Sequence, residues 1–572
     1  MISKEIENKI NELAKKYPKK ESALMPALDL VQRSNKNLLS HEDIKETARV
    51  VGVTESKAFG VATYYTMYNT EKVGKFNLQI DTNIPGFLTG ANEILEHLRK
   101  KLSIDAGETT KDGMFTLSIV EDLGSCGTCP VMQVNDTYYE NLTIEKVDKI
   151  IDELKKDKTP EPDTTANWGS ECKILLKNMG EKNSTSIETY KNSGGYTALA
   201  KARKMKPADI VQVVKESMIR GRGGAGFAAG VKWGFLPKDD SRPIYLVCNA
   251  DEGEPGTFKD RQIMQYDPHL LIEGIAITAY AIGSKKAFIY IRGEFRWIAD
   301  ILETAIERAK AEGMLGDLDI VVHKGAGSYV CGEETALIES IEGKRGNPRN
   351  KPPFPANIGL YDCPTIVNNV ETLACIPYII ENGAEAFKKI GNAKNSGPKL
   401  YGVSGHVEKP GVYEYPLGTP LEKILKAAGG VKGKLKAVIV GGLSVPILRA
   451  DEVKDLKMDF DDCLAHGTML GSGGIMVIND TISIPELALR TIKFYAHESC
   501  GQCVPCRDGS SVIKNILKRL IAGQAKKEEI DQILSMCKTI KGLTLCPTGD
   551  AFAMPIEAMI EKFREEFEGL IK

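Results

Sequence analysis

Four cysteines near the C-terminus carry the most specific chemistry in this chain: Cys500, Cys503 and Cys506 in Ser499-Cys500-Gly501-Gln502-Cys503-Val504-Pro505-Cys506, and Cys546 in Leu545-Cys546-Pro547. Three thiols at two-residue gaps, with a fourth returning from far along the chain, match thiolate ligation of a four-iron cluster. Structural zinc sites more often pair two Cys-x-x-Cys knuckles, so zinc is the competing metal. A four-thiolate cluster carries electrons singly, which predicts a protein that moves electrons rather than chemical groups. His497, just upstream, is placed to tune such a cluster by hydrogen bonding, although a surface or second-layer histidine is the plainer reading.

A second set of residues points to a nucleotide. Arg220-Gly221-Arg222-Gly223-Gly224-Ala225-Gly226-Phe227, followed by Lys232-Trp233, places four glycines among basic residues, where backbone N–H groups can approach a phosphate. Alone this is a weak signal, since glycine-rich turns are common. The Gly-x-x-x-x-Gly-Lys nucleotide loop is absent, because Phe227 follows Gly226. Two acidic stretches lie downstream, Cys248-Asn249-Ala250-Asp251-Glu252-Gly253-Glu254-Pro255-Gly256 and Tyr329-Val330-Cys331-Gly332-Glu333-Glu334-Thr335. Each by itself reads equally well as a metal site, a solvated loop or a set of hydroxyl acceptors. Taken with Phe227, Phe235, Phe354 and Asn368-Asn369, they predict one nucleotide pocket assembled from four segments.

The elements that must position these groups divide by texture. The chain has 572 residues, which predicts about three to five domains. Its 75 lysines and arginines nearly cancel 77 aspartates and glutamates, giving no electrostatic case for nucleic acid. The N-terminus has no apolar signal region, and the weakly charged stretch 270–283 is too short to span a bilayer. A cytoplasmic enzyme without direct membrane insertion is expected. Thirteen cysteines, an odd number, argue for free thiols and metal ligands over a disulfide framework. The predicted organisation is multidomain α/β: a helical bundle over 1–72, a small α/β domain over 73–157, a linker over 158–197, a larger α/β domain over 198–395, a β-rich module over 396–478 and a helical segment over 479–572 that carries the four cysteines.

In order and wording, the strings from about 198 to 568 closely resemble the flavin-bearing subunit of respiratory complex I and its relatives in NAD-reducing hydrogenases and formate dehydrogenases. The resemblance implies a Rossmann-like domain, a β-grasp-like module and a helical 4Fe-4S domain. It implies FMN held by Gly221, Arg222, Gly223, Gly224, Gly226, Lys232, Asn249, Asp251, Glu252, Gly332, Glu333, Glu334, Asn368, Asn369 and Thr372. NADH would be held by Phe227, Phe235, Glu254, Lys351 and Phe354, and the 4Fe-4S cluster by Cys500, Cys503, Cys506 and Cys546. Phenylalanine faces suit adenine, and carboxylates suit ribose hydroxyls while disfavouring a 2′-phosphate, so NADH is expected over NADPH. Hydride would pass directly between nicotinamide and flavin, requiring no proton-transfer residue.

The first third resembles the small partner of that flavoprotein, on Tyr17-Pro18, Ala27-Leu28, Ala62-Thr63-Tyr64-Tyr65-Thr66-Met67-Tyr68 and Gly74-Lys75. The chain thus looks like a fusion of the two. The resemblance implies a thioredoxin-like fold, which in the family normally holds a two-iron cluster on four cysteines. Here Asp81, Gly86, Asp122 and Cys126 stand at those places, and one ligand survives. Aspartates are poor substitutes for soft thiolates, so a domain without its cluster, serving as a docking scaffold, is expected. Cys129 makes Cys126-Gly127-Thr128-Cys129 a Cys-x-x-Cys, leaving a displaced cluster and thiol redox chemistry as competing readings. Cys248 and Cys331, beside the pocket motifs, are expected to be packing residues.

These expectations converge on an NADH dehydrogenase (diaphorase) subunit that exchanges electrons through one 4Fe-4S cluster with a partner subunit. That partner would carry further clusters or a catalytic centre of hydrogenase, formate dehydrogenase or quinone-linked type, and ferredoxin is a further candidate. The alternatives are the NADH-handling subunit of a flavin-based bifurcating complex and, in a different class, a zinc-stapled non-catalytic scaffold.

Overall fold

The computed structural model describes residues 2–162, 166–238 and 240–571. Helices Lys4–Ala14, Leu24–Ser34, His41–Val51 and Glu55–Ala62 open the chain. Ser40 caps the third: its hydroxyl accepts from the Asp43 N–H, and the Asp43 carboxylate accepts from the Ser40 N–H at 3.0 Å. This reciprocal cap satisfies amides that a helix start leaves unpaired. Ile10, Leu24, Leu28 and Ile44 form the bundle core, which also contains Val247, Phe288 and Tyr290 from the central α/β domain. The N-terminal bundle therefore covers one face of that domain's sheet.

A four-stranded sheet follows, with β1 (Phe76–Asp81), β2 (Phe115–Val120), β3 (Met132–Val134) and β4 (Thr137–Tyr139) in the order β2-β1-β3-β4. β1 and β2 run parallel across the helix Ala91–Leu102, whereas β3 and β4 are antiparallel additions. The stretch predicted as a linker contains β5 (Asn167–Ser170) and the helix Ile187–Asn192; residues 163–165 lie outside the described residues. Glu414 organises this stretch, accepting from the N–H groups of Ile174 at 3.1 Å and Leu175 at 2.8 Å and from the Ser170 hydroxyl. Such short polar pieces have no periodicity from which to read an element.

The central domain is built on β6 (Tyr245–Ala250), β7 (Lys286–Ile291), β8 (Asp319–Lys324) and β9 (Thr365–Asn369), all parallel, in the order β8-β7-β6-β9. Strand residues alternate between two cores, as a sheet buried on both faces requires. Leu246, Cys248 and Ile289 face the layer containing the helix Pro268–Ile282, and Val247, Phe288 and Tyr290 face the N-terminal bundle. Strand order reverses between β6 and β9. The crevice beyond the carboxyl ends of strands at such a switch point is where open α/β sheets bind ligands.

Beyond it, β10 (Pro398–Gly405), β11 (Gly411–Pro416), β12 (Leu435–Ile439), β13 (Leu448–Arg449) and β14 (Gly474–Asn479) form a sheet ordered β13-β12-β14-β10-β11-β5, with β5 as its far edge. Helices Ile484–Glu498, Val504–Ile521, Lys527–Ile540 and Thr548–Lys562 follow, and a short helix Arg564–Glu568 comes after them. Among the described residues no helix is long and apolar enough to cross a membrane.

Candidate nucleotide and cluster sites

At the switch point lies a cavity of about 410 Å³. Gly223 and Gly224 form one wall, the end of β6 supplies Asn249 and the loop after it Asp251, Glu252 and Glu254, and Gly332, Glu333 and Asn369 add another. The β-rich module contributes Gly441, Ser444 and Ser472, and the segment just after Cys546 contributes Pro547, Thr548 and Ala551. Gly224 has φ +130°, a backbone conformation closed to most side chains, and its missing Cβ keeps the loop open to the cavity. Asn249 donates to the Gly332 carbonyl at 2.8 Å, tying two acidic stretches together. One Asp251 carboxylate oxygen is buried without a protein partner, and burial pushes this carboxyl up to about 8. An orphaned polar atom facing a cavity framed by small residues suits a ligand that supplies hydrogen bonds, as FMN would.

Other predicted residues take different places. Glu252 borders the cavity but spends its carboxylate on the N–H groups of Lys259 (2.8 Å), Asp260 (2.8 Å) and Arg261 (2.9 Å), capping the helix Asp260–Tyr266. Arg222 is buried outside the cavity wall: its N–H donates to the Thr372 hydroxyl at 2.9 Å, and its guanidinium reaches the Ser396 carbonyl at 2.7 Å. Asn368 accepts from the Trp233 indole at 2.8 Å, whereas Asn369 caps the helix Val370–Ala374 and donates to Asp260 at 2.6 Å. Gly221 closes a turn onto the Phe227 carbonyl at 2.8 Å, and Gly226, at φ +65°, lies against Phe460. Thus Arg222, Asn368 and Thr372 stand behind the cavity as supports.

A cationic and aromatic rim stands beyond the cavity wall. Lys232 pairs with Glu334 at 2.7 Å, and Lys351 pairs with Glu333 at 2.8 Å and Glu334 at 3.0 Å. Burial opposes ionisation of Glu334, but Lys232 and Lys351 outweigh it and the carboxyl sits below its usual range. Phe227, Phe235 and Phe354 are 51, 55 and 54 % exposed, and the first two rings lie 6.0 Å apart. Large exposed rings beside paired lysines suit stacking on a base and contact with phosphate. Glu254 is held from across a domain boundary, accepting from Tyr329 at 2.8 Å and from the Ser444 N–H at 2.7 Å and hydroxyl at 2.6 Å.

The four C-terminal cysteines lie in one region at the start of the last helices. Cys503 stands directly before the helix Val504–Ile521, Cys506 lies in its first turn, and Cys546 is two residues before the helix Thr548–Lys562. The Leu545 N–H donates to the Cys503 sulfur at 3.3 Å, while Cys506 and Cys546 share hydrogen bonds with Ser499 (3.2 Å) and Thr548 (3.3 Å). Burial raises the Cys506 thiol to about 11, and the other three cysteines add to that shift, so all four stand within electrostatic reach of one another. Four thiols and two helix N-termini suit a four-iron cluster of net negative charge. His497 pairs instead with Glu498 at 3.1 Å, on a half-exposed surface.

The second cluster position differs in kind. Asp81, Asp122 and Cys126 do come together, around the side-chain amide of Asn83, which lies 3.1, 2.8 and 3.4 Å from them. Gly86 points only its N–H inward, to Asn83 at 2.8 Å, and a Cβ there would stand 2.8 Å from the Asp81 carbonyl. Burial, and then the neighbouring Asp122, pushes the Asp81 carboxyl up to about 8. Arg292 of the central domain donates to Asp122 at 2.6 Å. One thiol and a centre filled by an amide do not fit a two-iron cluster. Cys129 donates to the Ser125 carbonyl at 3.5 Å, and burial raises both thiols of the pair well above their usual range, away from the thiolate form that reacts.

Sequence reading missed Ser444, Asn83 and Arg292 as parts of these sites. Ser444 lies 190 residues from Glu254, so no local pattern joins them. Asn83, two residues after Asp81, offered a signal: a polar residue capable of bridging two carboxyls.

Comparison with known proteins gives a consistent assignment along the chain. The family described as Nuo51 FMN-binding domain matches residues 214–378, the thioredoxin-like 2Fe-2S ferredoxin family matches 10–155, the SLBB domain matches 400–448, and the NADH-ubiquinone oxidoreductase-F iron-sulfur binding region matches 486–570. Component F 2 of the NADH-quinone oxidoreductase of Rhizobium meliloti is 49 % identical over 406 residues, covering 69 % of this chain and 96 % of that protein. The corresponding component F of Rickettsia bellii is 47 % identical over 410 residues, covering 70 % and 98 %. A chain of an NAD+-reducing NiFe-hydrogenase in the air-oxidized state superposes with a TM-score of 0.86 at 30 % identity, covering 96 % of this chain and 93 % of that one. The hydrogenase likeness thus extends over nearly the whole chain, whereas the two NADH-quinone oxidoreductase relatives cover about 70 % of it.

Proposed function

This chain belongs to the family of the NADH-quinone oxidoreductase F components, flavoprotein NADH oxidoreductases with an FMN domain and a 4Fe-4S region, and we propose that it serves as the NADH-handling arm of a larger redox assembly. The observation that carries the reading is the shared wall: Pro547 and Thr548, directly after Cys546, line the same cavity as Asn249, Asp251 and Glu254. When bound there, FMN supplies hydride exchange with the nicotinamide and release of electrons one at a time. Asn249, Asp251, Asn369 and the glycines at 223, 224 and 332 surround it, with Lys232 and the Glu333–Glu334 pair at its edge. Phe227, Phe235 and Phe354 stack on the adenine, Lys351 meets phosphate, and Glu254 orients the dinucleotide from its Tyr329 and Ser444 anchors. Closure of the cavity by the β-rich module and the Cys546 segment limits water at the reacting atoms.

The N-terminal domain keeps the family's fold and, by this reading, works without a two-iron cluster. Cys500, Cys503, Cys506 and Cys546 are then the exit for electrons from this chain. The exit implies a partner subunit with further clusters or a catalytic centre, and the likeness to the hydrogenase chain makes a hydrogenase-type partner the first candidate. We place the assembly in the cytoplasm, with its domains divided near residues 72, 157, 197, 395 and 478. The full chain is expected to show a flavin band over broad iron–sulfur absorption that NADH bleaches. A colourless protein, or a coloured one unmoved by NADH, refutes the reading, and anaerobic co-purification identifies the partner.

A further inference from the structure

The polar network at the altered cluster position does not end inside the thioredoxin-like domain. Arg292 uses one terminal nitrogen to bond both the Asp122 carboxylate (2.6 Å) and the main-chain carbonyl of Glu252 (2.7 Å), and uses the other to bond the Asp122 carbonyl (2.6 Å). Four residues after Glu252, the Gly256 N–H donates to the Cys126 sulfur at 3.3 Å. Phe258 follows, packed so closely on Gly127 that a Cβ there would stand 2.4 Å from its ring. The loop that carries Asp251 and Glu254 to the cavity is thus gripped at two backbone points from the domain that, in its family, holds iron.

Both charged partners are out of water: Arg292 is 5 % and Asp122 8 % exposed. A charge-assisted bond from a guanidinium fixed by a carboxylate holds a carbonyl far more tightly than a solvated side chain does. Placement of a reacting pair is sensitive on the scale of an ångström, where misplacement costs up to about a hundredfold in rate. We propose that Asp122 and Arg292 are positioning residues for hydride exchange: the former cluster position supports the 251–256 loop and thereby sets the nucleotide site. This rests on the assignment of Asp251 and Glu254 to that site given above.

A control lies in the same neighbourhood. Glu121, next to Asp122, pairs with Arg490 on the helix Ile484–Glu498, joining the thioredoxin-like domain to the C-terminal bundle without touching the loop. The test uses the full, cofactor-loaded chain and reads three quantities: the dissociation constant of FMN by fluorescence of released flavin, KM for NADH, and kcat with an artificial one-electron acceptor. Asp122→Asn is expected to weaken FMN or raise KM for NADH by about tenfold or more. Arg292→Lys, which keeps the charge and loses the fork, is expected to do the same and stands in if Asp122→Asn does not fold. Glu121→Gln is expected to leave all three within twofold. Unchanged constants in both folded loop-side variants overturn the proposal, as does an equal change in Glu121→Gln. Glu254→Gln separates the two levels. If it raises KM while Asp122→Asn and Arg292→Lys do not, only the support role falls; if it too changes nothing, the site assignment itself falls, and the proposal with it.

Discussion

The chain contains two positions at which its families bind iron, and they have diverged in opposite directions. The C-terminal one keeps four thiols, Cys500 in a loop and the other three at or just before helix starts, with Ser499, Thr548 and the Leu545 amide bonded to sulfur. The N-terminal one keeps the strands and loops that bring its positions together but fills the centre with the Asn83 amide between two carboxyls. The fold at the second position therefore does not depend on metal. A network of hydrogen bonds, with buried Arg292 paired to Asp122 and Glu294, stands where four metal–sulfur bonds would give a cross-link.

The largest expected effect breaks the C-terminal site. Cys503→Ser should remove the cluster's absorption and lower electron delivery to a natural partner by more than about a hundredfold, while NADH still bleaches the flavin. Undiminished delivery would reveal another exit. At the N-terminal position, Asp122→Ala leaves buried Arg292 with Glu294, at 3.1 Å, as its remaining carboxylate and takes a partner from the Asn83 amide, and should destabilise the first unfolding transition in urea by about 2–3 kcal/mol. A change under about 1 kcal/mol would show that the network is not structural. Restoring thiols by Asp81→Cys, Gly86→Cys and Asp122→Cys together should still fail to bind two irons while Asn83 remains, because its amide occupies the centre and Gly86 has no room for a side chain.

How much of this contrast was legible in the sequence depends on distance along the chain. The spacing of Cys500, Cys503 and Cys506 lies within one loop and helix start, so local pattern identified it. The glycine loop, the acidic stretches and Asn368-Asn369 likewise pointed to one pocket assembled from four segments, and the structure adds that it lies at the end of parallel strands. Legibility failed where contacts cross domains. Arg222 looked like a phosphate ligand because a glycine loop surrounds it, yet its guanidinium turns into the seam toward Ser396. Glu252 looked like a ligand because Asp251 and Glu254 flank it, yet a helix start lies seven residues on and takes its carboxylate. Residues 158–197 read as a linker because a four-residue edge strand, Asn167–Ser170, is too short to show a pattern apart from the strand it joins.

Two smaller effects sharpen the comparison. Asp251 and Asp81 are both buried carboxyls raised to about 8, but one faces a ligand cavity and the other an internal network. For Asp251 the folded-state value lies above the ordinary 3.8, so its contribution favours the folded chain at low pH and is lost as pH rises between 3.8 and about 8. Asp251→Asn in the flavin-free protein should therefore gain stability relative to the parent across that window, by an amount on the order of a few kcal/mol at its upper end. A pH-independent difference would contradict burial as the cause. The smallest change is expected from Glu121→Gln, about 1–2 kcal/mol in urea, because it loosens contact between domains and leaves Asp122, Asn83 and Arg292 paired.

Iron counted on the full chain after anaerobic reconstitution tests the contrast most directly. The account predicts about four irons per chain, falling to near zero in Cys503→Ser. About six, with two retained in Cys503→Ser, would mean that the N-terminal position still binds a cluster and would contradict it.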